Sequence, residues 1–202
     1  MSQDPVEHVL EANALLLQQN PTPFPLPVNG IEALVAGGFL GVEKTDWVFP
    51  GLRERVGAVL RNCPIERLVD GHAGARPYRV APVSTSASTR LLQACGVAMA
   101  SEDGTAVLCF VGQGAAATGS FYEALNLAAL HNLNLIVLAH RRDLSSEDSP
   151  IGPQVAGELS AKAESFGIRT QKVNGSQFDA VQQAVSQART AGGPHFIEAS
   201  LD

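Results

Sequence analysis

The stretch of residues 105–139, TAVLCFVGQGAAATGSFYEALNLAALHNLNLIVLA, decides the fold class of this chain. Two apolar segments, 105–111 and 133–139, flank an Ala- and Leu-rich segment of helical length, 117–131. Strands that lack polar alternation are typical of a parallel sheet buried on both faces, whose strands are connected by helices. The alternation continues with a helix over 153–166, a strand over 168–173, a helix over 177–190 and a strand over 195–199. The sequence therefore predicts an α/β fold, with a parallel sheet flanked by helices.

Residues 1–100 have a different character and are predicted to be mostly helical. The segment 21–30, PTPFPLPVNG, must be an extended connector because each proline removes a backbone donor and restricts the residue before it. Helices are expected along the Val6–Leu17 stripe, from Ile31 to about Gly37-Gly38, and over 51–61, 64–70 and 89–100, with a brief apolar segment at 46–50 and a long loop at 71–88. Residues 1–202 are expected to form one domain, helical over 1–100 and alternating over 101–202.

Composition excludes several classes of protein. The chain has 202 residues, of which 45% are hydrophobic and 17% charged, so general disorder is excluded. A net charge of −6 without a Lys/Arg stripe argues against nucleic acid as a partner, and no apolar run is long enough to cross a membrane. The acidic N-terminus and three widely spaced cysteines predict a cytoplasmic protein with reduced thiols.

The ends of two predicted strands are candidate ligand sites, because open parallel sheets bind ligands beyond their carboxyl ends. The first is the turn Gly112-Gln113-Gly114-Ala115, where glycine lets backbone approach a ligand closely and a helix N-terminus favours an anion. The second is Arg141-Arg142, whose guanidinium groups suit phosphate. A solvated basic turn is the alternative interpretation of the two arginines. His140 suits a general base by position, but no Ser or Cys pairs with it, so a surface or capped histidine is expected.

The glycine turn and the helix after it resemble a known family. The segment GQGAAATGSFYEALNLAALHNLNLIVLAHRR (112–142) is similar to the diphosphate-binding segment GDGAxxxGxFxEALNxAALxxLPxIFxxENN of the α subunit of thiamine-diphosphate-dependent 2-oxo acid dehydrogenases, the E1α family. Five further segments resemble that family in the same order: 29–33, 46–68, 82–100, 158–181 and 192–199. The resemblance implies the thiamine-diphosphate-binding α/β fold and a β-subunit partner, with the cofactor at the shared interface.

The chain departs from the family at the positions that the resemblance assigns to chemistry. The Asp that holds Mg²⁺ in the family corresponds to Gln113, and the second side-chain ligand, an Asn, corresponds to Arg142. Magnesium prefers carboxylate and carbonyl oxygens, and a guanidinium repels it. Of the Tyr-Arg pair that contacts the diphosphate, only Arg53 remains. Further family positions differ at Leu26, Leu52, Ser88 and Arg90.

These departures favour a catalytically degenerate E1α-like protein with a structural, regulatory or partner-binding role. We expect no catalytic residue, no metal and no bound cofactor, with a second copy or an E1β-like chain as the partner. The Ala- and Leu-rich helices at 89–100 and 117–131 are expected to face it. Two alternatives stay open. One is an active 2-oxo acid dehydrogenase α subunit that holds Mg²⁺–thiamine diphosphate; the other is a module for another phosphate or carboxylate. Diphosphate or another anion would be bound by the following residues: Arg53, Gly112, Gln113, Gly114, Ala115, Arg141 and Arg142.

Overall fold

The computed structural model of the chain describes residues 4–19, 27–69, 75–83, 86, 89–102, 104–142 and 157–201, residue 142 by its backbone. Its elements, in chain order, are α1 (Pro5–Gln19), α2 (Glu32–Gly41), β1 (Trp47–Phe49), a 3₁₀ helix (Glu54–Arg61), α3 (Ile65–Val69), a 3₁₀ turn (Arg76–Tyr78), α4 (Arg90–Ala100), β2 (Val107–Gly112), α5 (Gln113–Ala116), α6 (Gly119–Leu130), β3 (Leu135–Arg142), α7 (Leu159–Glu164), β4 (Arg169–Asn174), α8 (Phe178–Ala191) and β5 (His195–Leu201).

The five strands of the described sheet lie in the order β1-β2-β3-β5-β4, and every neighbouring pair is parallel. The predicted α/β fold with a parallel sheet is therefore confirmed. The four strands predicted over 105–111, 133–139, 168–173 and 195–199 are all present; the start of the last is unchanged and the other ends are shifted by one to three residues.

Strand β1 was not predicted, because 46–50 was interpreted only as a brief apolar segment. Trp47, Val48 and Phe49 pair with β2 residues 107–109, which makes β1 an edge strand of the sheet. A three-residue strand is too short for periodicity to identify, and only its neighbours define it. This strand matters for function, because its carboxyl end lies on the same side of the sheet as the carboxyl ends of β2 and β3.

Asp46 anchors β1 at the amino end of the sheet. Its carboxylate is fully buried and accepts hydrogen bonds from the backbone N–H groups of Glu43 and Ala106, each at 2.8 Å. The Nε of Arg189 on α8 donates to the same carboxylate at 2.6 Å, and this bond raises the pKa of Arg189. One buried anion thus ties β1, β2 and α8 together.

Two apolar layers cover the sheet, because successive strand residues point to opposite faces. On one face, Leu108 and Phe110 of β2 belong to a core that also includes α1, α2 and α8; on the other face, Val107, Cys109 and Val111 belong to a core that also includes α4, α6 and α7. Burial of each such large side chain contributes about 1.5–3 kcal/mol. The described helices include none with the length and apolar character needed to cross a membrane.

Helix α2 extends to Gly41, past the predicted end near Gly37-Gly38. Its glycines permit close packing: a Cβ at Gly37 or Gly41 would lie 2.8 or 2.6 Å from the Cβ of Val181 or Val185 on α8. Glycine therefore serves close helix packing here and does not end the helix.

Other predicted boundaries also change. Residues 51–61 form a 3₁₀ helix from Glu54, and the helix predicted over 117–131 is preceded by a separate short turn of helix, α5. The predicted loop at 71–88 contains the 3₁₀ turn at 76–78. For the helix predicted over 153–166, the described part is α7, while 153–156 lie outside the described residues.

Candidate functional site

The structure brings the two predicted site segments to one edge of the sheet. Gly112, the last residue of β2, is the register partner of His140 on β3. A Cβ on Gly112 would lie 3.6 Å from the His140 ring, which is ordinary contact distance. The chain then enters α5, which contains Gln113, Gly114 and Ala115. Because α5 has only four residues, its dipole is small, and an anion there would depend on side-chain cations.

A buried polar cluster lies beside Gly112, and sequence reasoning missed it. His140 Nε2 lies 3.0 Å from Glu54 Oε1, and both side chains are largely buried. The guanidinium of Arg90 is also buried and donates from Nη1 to the carbonyl of Pro50 at 3.1 Å. The expectation of a surface or capped His140 is therefore wrong, because a carboxylate 86 positions earlier in the chain accompanies the imidazole.

Charge interactions within this cluster determine the state of Glu54. Burial raises the pKa of Glu54, but the hydrogen bond with His140 and the charges of His140 and Arg90 together lower it below the ordinary value. Glu54 is therefore an anion in the folded chain at neutral pH.

Gly51 provides the space for this cluster. A Cβ at that position would lie 2.2 Å from Glu54 Oε2 and 2.8 Å from Arg90 Nη1, so any other residue would force the two side chains to move. The signal available in the sequence was a glycine, Gly51, directly after the apolar segment, with an acid, Glu54, three positions later. It became informative only once that segment was known to be a strand.

Arg53, predicted to contact a diphosphate, binds backbone of its own chain. Its Nε donates to the carbonyl of Pro27 and its Nη2 to that of Asn29, both at 2.8 Å. These bonds fix the segment leading into α2 next to the 3₁₀ helix. Two of the five guanidinium donors are thereby engaged in holding the fold.

Arg141 and Arg142 are strand residues, which corrects their interpretation as a basic turn. They pair with Ser200 and Leu201 of β5. The side chain of Arg142 lies outside the described residues.

The Arg141 guanidinium lies near the start of α7. Its Nη1 donates to the carbonyl of Gly157 at 3.2 Å and lies 3.9 Å from Glu198 Oε1. Glu198 also accepts hydrogen bonds from the backbone of Leu159 and Ser160, the first residues of α7. A cavity of about 150 Å³ adjoins Arg141 and Glu198. Arg141 thus belongs to a charge-balanced cluster between β3, β5 and α7.

The donors at this edge do not fit a magnesium ion. Gln113 offers one neutral amide oxygen where magnesium requires carboxylate. Within the ranges that the structure describes, no group of three His, Cys, Asp or Glu side chains that could hold a metal ion comes together. Cys63, Cys95 and Cys109 are free and buried, and burial raises their pKa values to about 11, 11 and 12.

The fold resembles that of a solved enzyme. The structure superimposes on transketolase from Campylobacter jejuni with a TM-score of 0.70 at 20% identity, over 100% of this chain and 38% of that one. At this identity the match establishes the fold class and no more.

The chain belongs to the dehydrogenase E1 component family, which matches residues 5–200. It is 29% identical to the 3-methyl-2-oxobutanoate dehydrogenase subunit alpha of Mycobacterium tuberculosis, covering 86% of this chain and 51% of that protein. It is 27% identical to the pyruvate dehydrogenase E1 component subunit alpha of Mycoplasma genitalium, covering 85% and 52%. The predicted E1α resemblance is confirmed. The chain spans about half the length of these two relatives.

Proposed function

We propose that this chain is an E1α-like protein that keeps the family's fold but does not hold Mg²⁺–thiamine diphosphate, and that it acts through a protein partner. The observation that carries the proposal is Gln113. It stands at the strand-to-helix turn next to Gly112, where the E1α resemblance places the metal-binding Asp. A neutral amide supplies neither the charge nor the ligand strength that would anchor a magnesium diphosphate.

The surrounding cations support this proposal. Arg53 donates to Pro27 and Asn29, and Arg141 donates to Gly157 next to Glu198. Guanidinium groups committed to backbone carbonyls have fewer donors left for a diphosphate. The edge is instead stabilised by the Glu54–His140 contact, which lies within the chain.

A partner is proposed from the surface of the two small-residue helices. Helices α4 and α6 pack against each other and the sheet, yet Met99 and Leu130 are 52% and 73% exposed. Leu130 is an unusually open position for a large aliphatic side chain. The relatives are named as alpha subunits. We therefore propose that a second copy of the chain or an E1β-like chain covers this face, as the naming of the relatives as subunits suggests. A cytoplasmic location fits the three free thiols.

Thermal unfolding with excess thiamine diphosphate and Mg²⁺ tests the loss of the cofactor. A ligand at about 100 times its Kd adds about 2.7 kcal/mol to stability, a Tm shift of about 5–10 °C for a chain of this size. We expect no shift for the wild-type chain, alone or mixed with an E1β-like chain. The variant Gln113→Asp/Arg142→Asn is the matched comparison, and we expect it to regain part of the shift.

The outcomes separate the alternatives. A shift of several degrees in the wild-type chain would overturn the proposal and favour an active 2-oxo acid dehydrogenase α subunit. A shift with plain diphosphate in the absence of Mg²⁺ would favour the anion-binding module instead. If neither chain responds, the pocket has been lost beyond these two positions.

A further inference from the structure

A continuous groove runs along the outer side of β1, away from the ends of β2 and β3. Three adjoining clefts of about 390, 420 and 310 Å³ form it, and Trp47 lines all of them. The first two also share Arg76, and the last two share Arg79. Because the three clefts share lining residues, a ligand that spans more than one of them would contact Trp47 together with Arg76 or Arg79.

The groove is apolar around Trp47, above all in the first cleft, and becomes more polar in the third. Trp47, half-buried, lies beside Phe49 and Val83 in the first cleft and beside Val97 of α4 in the first and third. At Gly96, on the same wall, a Cβ would meet no atom within 4 Å, so the groove is open above the helix backbone. An apolar side chain of a ligand would find open space beside Gly96, next to Trp47 and Val97.

The rim of the groove is cationic along most of its length. Arg76 and Arg79 are exposed, and the Arg79 guanidinium lies 5.2 Å from the centre of the Trp47 ring, a cation–π contact. Arg79 is held in the left-handed region with φ 59°, so its side chain leaves the backbone in a fixed direction. Among the described residues that line the three clefts, the one acidic residue is Glu102, which lines the third cleft. Two guanidinium groups beside one tryptophan form a locally basic surface on a chain of net charge −6.

We propose that this groove docks an acidic segment of a partner protein, an extended peptide with an apolar residue between carboxylates. The apolar residue would pack on Trp47 and Val97, and the carboxylates would pair with Arg76 and Arg79. Two cations are too few for the phosphate contacts on which nucleic-acid binding depends, and the net negative charge of the chain opposes it. The inference goes beyond the proposed function and does not depend on whether the cofactor binds.

Trp47 is the single tryptophan of the chain, so its fluorescence reports on this groove alone. The probe is the peptide acetyl-DEDLFDED-amide, with acetyl-DEDSSDED-amide and acetyl-KRKLFKRK-amide as controls for the apolar and acidic parts. We expect the first peptide to shift Trp47 emission saturably, and both controls to bind at least about tenfold more weakly. Fluorescein-labelled peptide and anisotropy then measure affinity for each variant.

Two variants test the contacts, and both preserve the fold. Arg76→Gln/Arg79→Asn removes the cations, with asparagine chosen because it tolerates the left-handed backbone at position 79. We expect about tenfold weaker binding, since each exposed ion pair is individually weak. Gly96→Leu fills the groove from a helix position with open space; we expect an unchanged or higher Tm and at least about tenfold weaker binding. Gln187→Leu, exposed on α8, is the matched control and leaves binding unchanged.

Several results would overturn the proposal. They are no response to the acidic peptide at millimolar concentration, equal binding of the basic peptide, or unchanged affinity in Gly96→Leu. Tighter binding of oligothymidylate than of the peptide would assign the groove to nucleic acid. Concentration-dependent dimerisation that Gly96→Leu abolishes, without peptide binding, would assign it to a second copy of the chain.

Discussion

Replacing Glu54 by Gln is the most informative perturbation of the candidate site. The side chain keeps its shape and can still hydrogen-bond to His140, 3.0 Å away, but it loses its charge. Arg90, 5% exposed, then remains as a buried cation without its nearby anion. Removing one partner of a contacting buried charge pair costs about 3–5 kcal/mol, which is an upper bound here because Arg90 acts on Glu54 through its charge and not through a hydrogen bond. Because Arg90 keeps its hydrogen bond to Pro50, we expect the free energy of unfolding to fall by about 3 kcal/mol, the lower end of this range, and the Tm to fall by about 6–12 °C.

Urea denaturation of a double-mutant cycle measures this cost directly. The set consists of Glu54→Gln, Arg90→Gln, the double variant and the wild type. We expect the double variant to be more stable than the sum of the single effects implies, with a coupling of about 1–3 kcal/mol. Glu123→Gln, exposed on α6, is the control and changes stability by less than about 0.5 kcal/mol. If Glu54→Gln costs under about 1 kcal/mol, or the two effects add, the cluster does not stabilise this edge.

The same variant carries a pH signature. The pKa of Glu54 is lowered in the folded chain, so its stabilising contribution is present above the unfolded carboxyl's pKa and is lost as pH falls through the folded value. The stability difference between wild type and Glu54→Gln is therefore expected to be full at pH 7 and to shrink on acidification below about pH 4. A difference that grows with acidification would contradict the assigned charge state.

The remaining predictions concern the core. Asp46→Ala removes a fully buried carboxylate and should lower the free energy of unfolding, measured by urea denaturation, by about 3–5 kcal/mol. Glu43→Ala, at a side chain that is 66% exposed, should lower it by less than about 1 kcal/mol. Equal losses of stability in the two variants would contradict the anchoring role of Asp46. Gly41→Ala places a Cβ within 2.6 Å of Val185 on α8 and should destabilise the folded chain by about 1–3 kcal/mol. Gly96→Ala places its Cβ in open space and should stabilise the folded chain by up to about 1 kcal/mol. Thermal unfolding measures both effects. Cys109 is fully buried with its pKa raised to about 12, so a thiol reagent should modify it only on unfolding; fast labelling of the native chain would contradict this burial.

Strands β2, β3 and β5 could be predicted because their central residues are apolar, whereas the polar and largely exposed β4 could be predicted mainly from its place in the alternation of strands and helices. Apolar runs such as 107–111 are a local property of the sequence, and their burial in the structure is complete or nearly so. Strand β1 could not be predicted in the same way, since three residues carry no periodicity. Its identity depends on pairing with β2 and on Asp46, whose partners lie 60 and 143 positions away. The predicted end of helix α2 is too early, because the sequence does not distinguish a glycine that permits close helix packing from a glycine that ends a helix.

The candidate site was predictable where it follows a strand and not where it depends on tertiary pairing. Gly112 and Gln113 were located because the end of β2 is visible in the sequence. Glu54 was not located, because it meets His140 from a different element and no spacing links the two; Arg90 was noted only as a departure from the family, and its place beside Glu54 was not foreseen. The unpredicted cluster also changes the interpretation of the predicted residues. A carboxylate, an imidazole and a guanidinium from this chain lie close to the end of β2, and Gly51 leaves the space for two of them. The Glu54–His140 contact therefore stabilises this edge of the sheet from within the chain, whether or not a ligand binds at the neighbouring turn.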